Sequence, residues 1–236
     1  MFQINIFTPI YHRFEFTRNS IDSIIKHLDS SVYKCNLIIG VNGYENDEMK
    51  TWLRKKIKHN VKLYENPENI GKAKIINEMY KMNSNCTHVI SIDSDLVVDE
   101  EKNFIDGMLW CIEHFTEFGL LSTFQKENDQ HLWNMLKEEQ TLNEQIVGHG
   151  SFNSVAGGCV ILKKETWDKI KGYSEYGGVY GFDDGLMMQS VKNLSLKTGV
   201  IKTVRLTHPF ELDSGYKNWK STNIAKRLQK GYYESC

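Results

Sequence analysis

His88-Val89-Ile90-Ser91-Ile92, followed at once by Asp93-Ser94-Asp95, is the stretch on which the fold turns. The first five residues are mostly apolar and β-favouring. The run is too short for a helix and lacks polar alternation, as in a strand covered on both faces. It ends in two carboxylates two residues apart. If the strand breaks into a turn there, both can face one cleft. Hard divalent cations take oxygen ligands, and magnesium typically uses one or two carboxylates plus substrate phosphates. The same three residues also read as an Asx-turn that merely terminates a strand.

Working outward toward the N-terminus, two more apolar runs of this kind occur, Ile4–Ile10 and Cys35–Val41, with a shorter one at Val61–Tyr64. Between them lie helical patterns. Ile21, Ile24, Ile25 and Leu28 share one helix face, Glu45–His59 is polar and helix-like, and Ile75, Ile76, Met79 and Tyr80 follow Gly71. Beyond the central run, Phe104, Met108, Ile112 and Phe115 predict a helix before a strand at Gly119–Thr123. This β-α alternation predicts an α/β fold with an open, mostly parallel, Rossmann-like sheet flanked by helices. Ligands in such sheets bind beyond the carboxyl ends of the strands. Thr8–Arg13, Asn42–Asn46 and Asp93–Asp95 are therefore expected on one edge.

The rest of the chain is less periodic. Gln125–Ser154 is polar, with a helix expected around His131–Gln145 and a loop after it. Val155–Lys163 reads as a strand entered through Gly157-Gly158, and Glu165–Lys171 as a short helix closed by Gly172. Phe182–Leu196 reads as a helix and Val200–Leu206 as a late strand. Asp183-Asp184 follows a glycine-rich segment at a helix start. Acids there favour the macrodipole, but a loop-delivered carboxylate is also a common general base. Lys72, at the start of the helix after Asn69-Ile70-Gly71, stands where helix N-termini favour anions such as phosphate. His208, in Thr207-His208-Pro209, reads either as a structural histidine or as a group capping the same sheet edge.

Composition excludes several classes. The chain has 236 residues, 40% hydrophobic and 25% charged, with only 3 Pro, which excludes disorder and low complexity. A net charge of −1 offers no overall basic excess for nucleic acid or an anionic membrane. The 5 cysteines are scattered, with no C-x-x-C, and read as buried or reactive thiols in a reducing compartment. No apolar run approaches a membrane span and no signal-peptide pattern opens the chain, so a cytoplasmic location is expected. P-loop, dinucleotide-binding and α/β-hydrolase motifs are absent. A single domain over 1–236 is expected, without linker or repeat.

Taken in order, the segments resemble family 2 glycosyltransferases of the GT-A fold. The resemblance is carried by Thr8-Pro9-Ile10-Tyr11-His12-Arg13, by Asn69-x-Gly71-x5-Asn77, by Asp93-Ser94-Asp95, by Gly157-Gly158 with Trp167 and Gly172-Tyr173, and by Gly181-x-Asp183-Asp184. It spans roughly residues 3–210 and implies a nucleotide-sugar-binding half, 1–123, and an acceptor-binding and catalytic half, 124–236, with a small acceptor-side region. It implies that Thr8, Pro9, Tyr11 and Arg13 line the nucleotide pocket, and that Asn42, Asn69, Gly71, Lys72, Asp93 and Ser94 complete the donor site. Asn42 stands where many members carry an acid. The resemblance further implies a divalent cation, Mn2+ or Mg2+, held by Asp95 and Asp93 with His208. Asp184 takes the place of the usual general base, and Asp183 that of a Glu in most members.

The activity so implied is that of a metal-dependent, inverting hexosyl- or pentosyltransferase. Its donor would be a nucleotide-diphosphate sugar, and its acceptor a hydroxyl on a glycan, another surface acceptor or a hydroxymethylated DNA base. Acceptor contacts are expected from Gln125–Ser154 and the tail, where Trp133, Phe152, Tyr216 and Trp219 accompany Lys217, Lys220, Lys226, Arg227 and Lys230. Two other readings use the same scaffold: a non-catalytic nucleotide-sugar-binding module, and a nucleotidyltransferase.

Overall fold

The computed structural model describes residues 1–98, 102–125, 136–150, 157–177 and 183–208, together with 218 and 222. The four N-terminal strands are β1 (Gln3–Ile10), β2 (Lys34–Asn42), β3 (Val61–Asn66) and β4 (His88–Ile92). They are parallel, in the order β3-β2-β1-β4. Every residue of β4 is buried, as its unbroken apolar run demands. Helices α1 (Phe14–Ser30), α2 (Asp47–Lys56) and α4 (Phe104–His114) cover one face of the sheet through Ile21, Ile24, Leu53 and Met108. Helices α3 (Lys72–Met82), α5 (Lys164–Ile170) and α6 (Asp183–Lys192) cover the other, through Ile75, Met79, Trp167 and Met187.

The second half completes the same sheet. Strand β9 (Cys159–Lys163) runs antiparallel between β4 and β6 (Phe118–Gln125), and β10 (Lys197–Thr207) lies parallel to β6 on its far side. A two-residue strand, β5 (Val97–Val98), pairs antiparallel with the end of β10. The helix expected around His131–Gln145 is not found over its described part. Residues there form a hairpin instead, β7 (Glu138–Leu142) and β8 (Gln145–His149), and β8 pairs with β10. The reversal is at Asn143-Glu144, both with positive φ (45° and 65°), the geometry that joins two twisted strands by a two-residue turn. Glu and Gln favour helix intrinsically, and tertiary pairing overrides that preference here. The loop expected after the helix is likewise taken up in part by β8.

Cys35, Cys86, Cys111 and Cys159 are buried free thiols. Burial pushes Cys86 up to about 11 and Cys111 up to about 12, so these are packing residues held protonated. Among the described residues no helix is long and apolar enough to cross a membrane. Trp133, Phe152 and the tail residues Tyr216, Lys217, Trp219, Lys220, Lys226, Arg227 and Lys230 lie outside the described residues, as do Gly181 and Cys236.

Candidate active site

The chain leaves β4 in a tight turn. The Leu96 N–H donates to the Asp93 carbonyl (3.3 Å), and the Asp93 N–H donates to the Gly158 carbonyl (2.7 Å). The first bond turns Asp93 and Asp95 out at the strand end, and the second places Gly157-Gly158 beside them. Strand β5 then pairs Val97 with Thr207, which brings the next residue, His208, to Asp95. His208 Nε2 lies 3.3 Å from Asp95 Oδ2. A two-residue strand too short to read from sequence is thus what carries a residue from the end of β10 into the site.

Arg13 reaches the same oxygen from the β1–α1 loop, with Nη1 donating to Asp95 Oδ2 at 2.7 Å. His12 and Arg13 both adopt left-handed backbone (φ 56° and 59°), a conformation costing roughly 1–2 kcal/mol per non-glycine residue. Glu45 secures this loop by accepting the Phe14 N–H at the start of α1 (2.9 Å). Burial acts to raise the Asp95 carboxyl, but the hydrogen bond and charge of His208, with Arg13, outweigh it and hold the group below its ordinary value. Reciprocally, the Asp95 hydrogen bond raises His208, against the opposing effect of burial.

Lys72 occupies the centre of the second cluster. Gly71, at φ 89°, turns the chain into α3. Lys72 Nζ then sits 2.9 Å from Asp93 Oδ1, 3.2 Å from Asp184 Oδ1 and 3.9 Å from Asp183 Oδ2. It also lies 3.4 Å from the Gly157 carbonyl and over the Tyr173 ring. Burial disfavours the ammonium, but Asp184 and Asp93 together hold its pKa well above the ordinary lysine value. Asp93 is pushed up to about 7, first by burial and then by its carboxylate neighbours Asp95 and Asp184, with Lys72 opposing. A Cβ at Gly157 would overlap the Asp184 carboxylate, so the Gly157-Gly158 step is what leaves room for that acid.

The loop before α3 is braced internally. Asn42 Nδ2 donates to Asn69 Oδ1 (2.7 Å), while Asn42 Oδ1 accepts the Ile70 N–H (2.8 Å) and Asn69 Oδ1 also accepts the Gly71 N–H (3.0 Å). Asn42 is buried with both ends of its amide engaged, so it holds the loop that presents Lys72. Asn77 ties α3 to the second half: its Nδ2 donates to the Tyr173 carbonyl (2.9 Å) and its Oδ1 accepts the Tyr173 N–H (3.0 Å). The Tyr173 hydroxyl in turn donates to Ser91 Oγ on β4 (3.1 Å). Thr8 is fully buried in β1, while Pro9, Tyr11 and Ser94 are partly exposed around the same edge. In sequence Tyr173 stands out only as part of Gly172-Tyr173, and Glu45 only as a member of Asn42–Asn46 and Glu45–His59. That one walls the site and the other braces the Arg13 loop emerges from the three-dimensional contacts.

Asp93, Asp95, Lys72, Arg13, His208, Asp183 and Asp184 thus meet at the carboxyl ends of β1 and β4. Among the described residues, no group of three or more His, Cys, Asp or Glu is arranged to hold a metal ion. Arg13 and Lys72 engage oxygens of Asp95 and Asp93. The side chains at this edge that carry oxygen or nitrogen donors for a cation are those of Asp93, Asp95, Asp183, Asp184 and His208.

No family model and no curated protein matches the sequence. Solved structures do. The mannosyltransferase PcManGT from Pyrobaculum calidifontis, in complex with GDP-Man and Mn2+, superposes with a TM-score of 0.70 at 15% identity, covering 96% of this chain and 64% of that one. GalNAc-T7 with UDP, GalNAc and Mn2+ superposes with a TM-score of 0.68 at 11% identity, covering 90% of this chain and 45% of that one. This chain therefore spans about half to two thirds of the length of these two. The likeness establishes the architecture: a mixed α/β, GT-A fold with a central, mostly parallel sheet flanked by helices.

Proposed function

We propose that this chain is a metal-dependent, inverting glycosyltransferase that moves a sugar from a nucleotide-diphosphate donor to a glycan hydroxyl, in the cytoplasm. The observation that carries the reading is the meeting of Asp93, at the end of β4, with Asp184, at the start of α6, around one ammonium. Carboxylates that the proposal assigns to the donor and acceptor sides share one ammonium at the strand ends of a GT-A sheet. The two structural neighbours, with their nucleotide, sugar and Mn2+, support the same reading.

Asp95, Asp93 and His208 offer donor atoms at one strand end, with His208 Nε2 3.3 Å from Asp95 Oδ2. Arg13 and Lys72 engage an oxygen of each acid, so a divalent cation would enter by displacing or sharing those contacts. Asp95, Asp93 and His208 would hold the ion, which when bound offsets negative charge on a leaving diphosphate. Arg13 and Lys72 supply fixed positive charge to the donor at the same edge. Asp184 takes the proton of the acceptor hydroxyl, and Asp183, buried beside it, orients it. Attack from the face opposite the leaving group inverts the anomeric carbon, as with opposed carboxylates in inverting glycosidases.

A thermal-melt panel of nucleotide sugars with and without Mn2+ tests this. One donor should stabilise the fold only with metal, by about 2.7 kcal/mol at a hundredfold excess over Kd. Release of nucleoside diphosphate should follow on adding acceptor. Binding without release would favour the non-catalytic module, and stabilisation by a nucleoside triphosphate alone would favour a nucleotidyltransferase.

A further inference from the structure

Lys72 stands where a lysine is locally unfavourable. It is the first residue of α3, whose first turn carries no acid and whose N-cap, Gly71, offers no side chain. The positive end of the helix macrodipole disfavours a cation there. The reason for a lysine must therefore lie in what its far end reaches.

Three oxygens surround Nζ: Asp93 Oδ1 at 2.9 Å, Asp184 Oδ1 at 3.2 Å and the Gly157 carbonyl at 3.4 Å. They come from the end of β4, the start of α6 and the turn before β9. An ammonium has three N–H donors, so none is left for an incoming phosphate while these contacts hold. Asp95 has its own partners in Arg13 and His208, whereas Asp93, Asp183 and Asp184 all face Lys72. The backbone that carries the lysine is fixed by the Asn42–Asn69 bond and the Ile70 and Gly71 amides. Its four-methylene stem is not so fixed, and rotamer changes let the ammonium exchange partners without moving the helix.

We propose that Lys72 is the counter-cation that fills this cleft before a donor arrives, keeping a free divalent ion from Asp93 and covering Asp184. Lys72 gives up both acids together when a diphosphate oxygen takes over its ammonium. Two ion pairs break, one forms, and no proton moves. Metal and nucleotide binding are then coupled through one side chain, and the coupling is reciprocal. The proposal deepens the function proposed above and rests on its reading of the strand-end cleft as a donor site.

Mn2+ binding to the nucleotide-free protein, followed by loss of the free-ion paramagnetic resonance signal, tests this without turnover. Lys72→Met and Lys72→Gln should each bind Mn2+ about tenfold or more tightly than wild type. A lysine with a merely structural role would do the reverse, since its loss would loosen the acids. Adding Asp93→Asn to Lys72→Met should abolish the gain. With UDP and GDP as probes, at least one should tighten Mn2+ binding to wild type, and that tightening should shrink in both lysine variants. Should the Met variant fold poorly, the rise in melting temperature on adding Mn2+ should still be larger for Lys72→Gln than for wild type. Mn2+ binding no tighter in the lysine variants, or a gain that survives Asp93→Asn, would overturn the proposal. Wild type binding Mn2+ with a nucleotide would, in that case, leave the proposed function standing. No Mn2+ binding to wild type with either nucleotide would overturn both.

Discussion

At the scale of single residues, the site is governed by which atoms crowd the Asp184 carboxylate. Gly157 has no side chain because a Cβ there would occupy the space of that acid. Gly157→Ala should therefore displace Asp184 from Lys72 and lower kcat roughly 10²–10⁴-fold, the span ascribed to general-base assistance. Donor-dependent thermal stabilisation should survive, because Asp95, Arg13 and His208 are untouched. Asp184→Asn should match it in direction with a smaller effect on stability, and unchanged turnover in either variant would remove Asp184 from the base role. The acids were legible in sequence because their chemistry travels in short motifs, Asp93-Ser94-Asp95 and Asp183-Asp184. The dependence on Gly157 was not, since it is a contact between residues 27 positions apart. Lys72 was legible only in part: its place at a helix start points to anions, but the anions it meets are the chain's own carboxylates.

At the scale of elements, the junction of β4, β9 and α4 carries a charge arrangement away from the site, in which a buried histidine joins two partly exposed partners. His88 Nε2 lies 3.1 Å from Glu113 Oε1, which also takes Lys163 Nζ at 2.8 Å. Burial pushes the His88 imidazole below its ordinary value, outweighing Glu113. The unfolded chain therefore takes up this proton first as pH falls, so the stability His88 contributes is present above the unfolded value near 6.5 and is lost below it. For Glu113, burial raises the carboxyl but Lys163 and His88 outweigh it and lower it, so its contribution too is lost in acid, at lower pH. Asp93, pushed up to about 7, acts with the opposite sign, so the measurable quantity is a difference. Between pH 7.5 and 5.5 the melting temperature of wild type should fall further than that of His88→Gln, at roughly 2–4 °C per kcal/mol for a chain of this size. Equal slopes would mean that His88 takes up its proton alike in both states. The parallel strands were readable as short unbroken apolar runs, and their helices as apolar residues spaced at 3.6. The β7–β8 hairpin was not, because Glu138-Glu139-Gln140 of β7 favours helix and its turn uses Glu144 where glycine usually signals one.

At the scale of the whole molecule, the two halves suggested by motif order are not two separable bodies in the sheet. Strands β4 and β6 both belong to 1–123 or its edge, yet the strand between them, β9, comes from the second half. His88–Ile92 pair with Lys163–Cys159, and Leu121 pairs with the same Ile161 that pairs with Ile90. Cutting the chain after β6 would expose the whole edge of β4 and leave β6 without a described partner strand. It would also strip α3 of the Asn77–Tyr173 hydrogen bonds and the Trp167 packing that cover its outer side. An open apolar edge of this kind pairs with other chains more readily than it stays in solution. A fragment of residues 1–125 should accordingly lack a cooperative melt and aggregate, while the full chain unfolds in one transition seen alike by far- and near-ultraviolet circular dichroism. A soluble fragment melting cooperatively, and binding a nucleotide by itself, would show instead that the donor half is an autonomous domain. The interleaving also accounts for the site: the Gly158 carbonyl just before β9 accepts the Asp93 N–H, and His208 just after β10 meets the Asp95 carboxylate, so both residues are held by chain from the second half. Melting of the full chain should therefore shift as one unit when a metal and nucleotide sugar bind, with no earlier transition left unmoved.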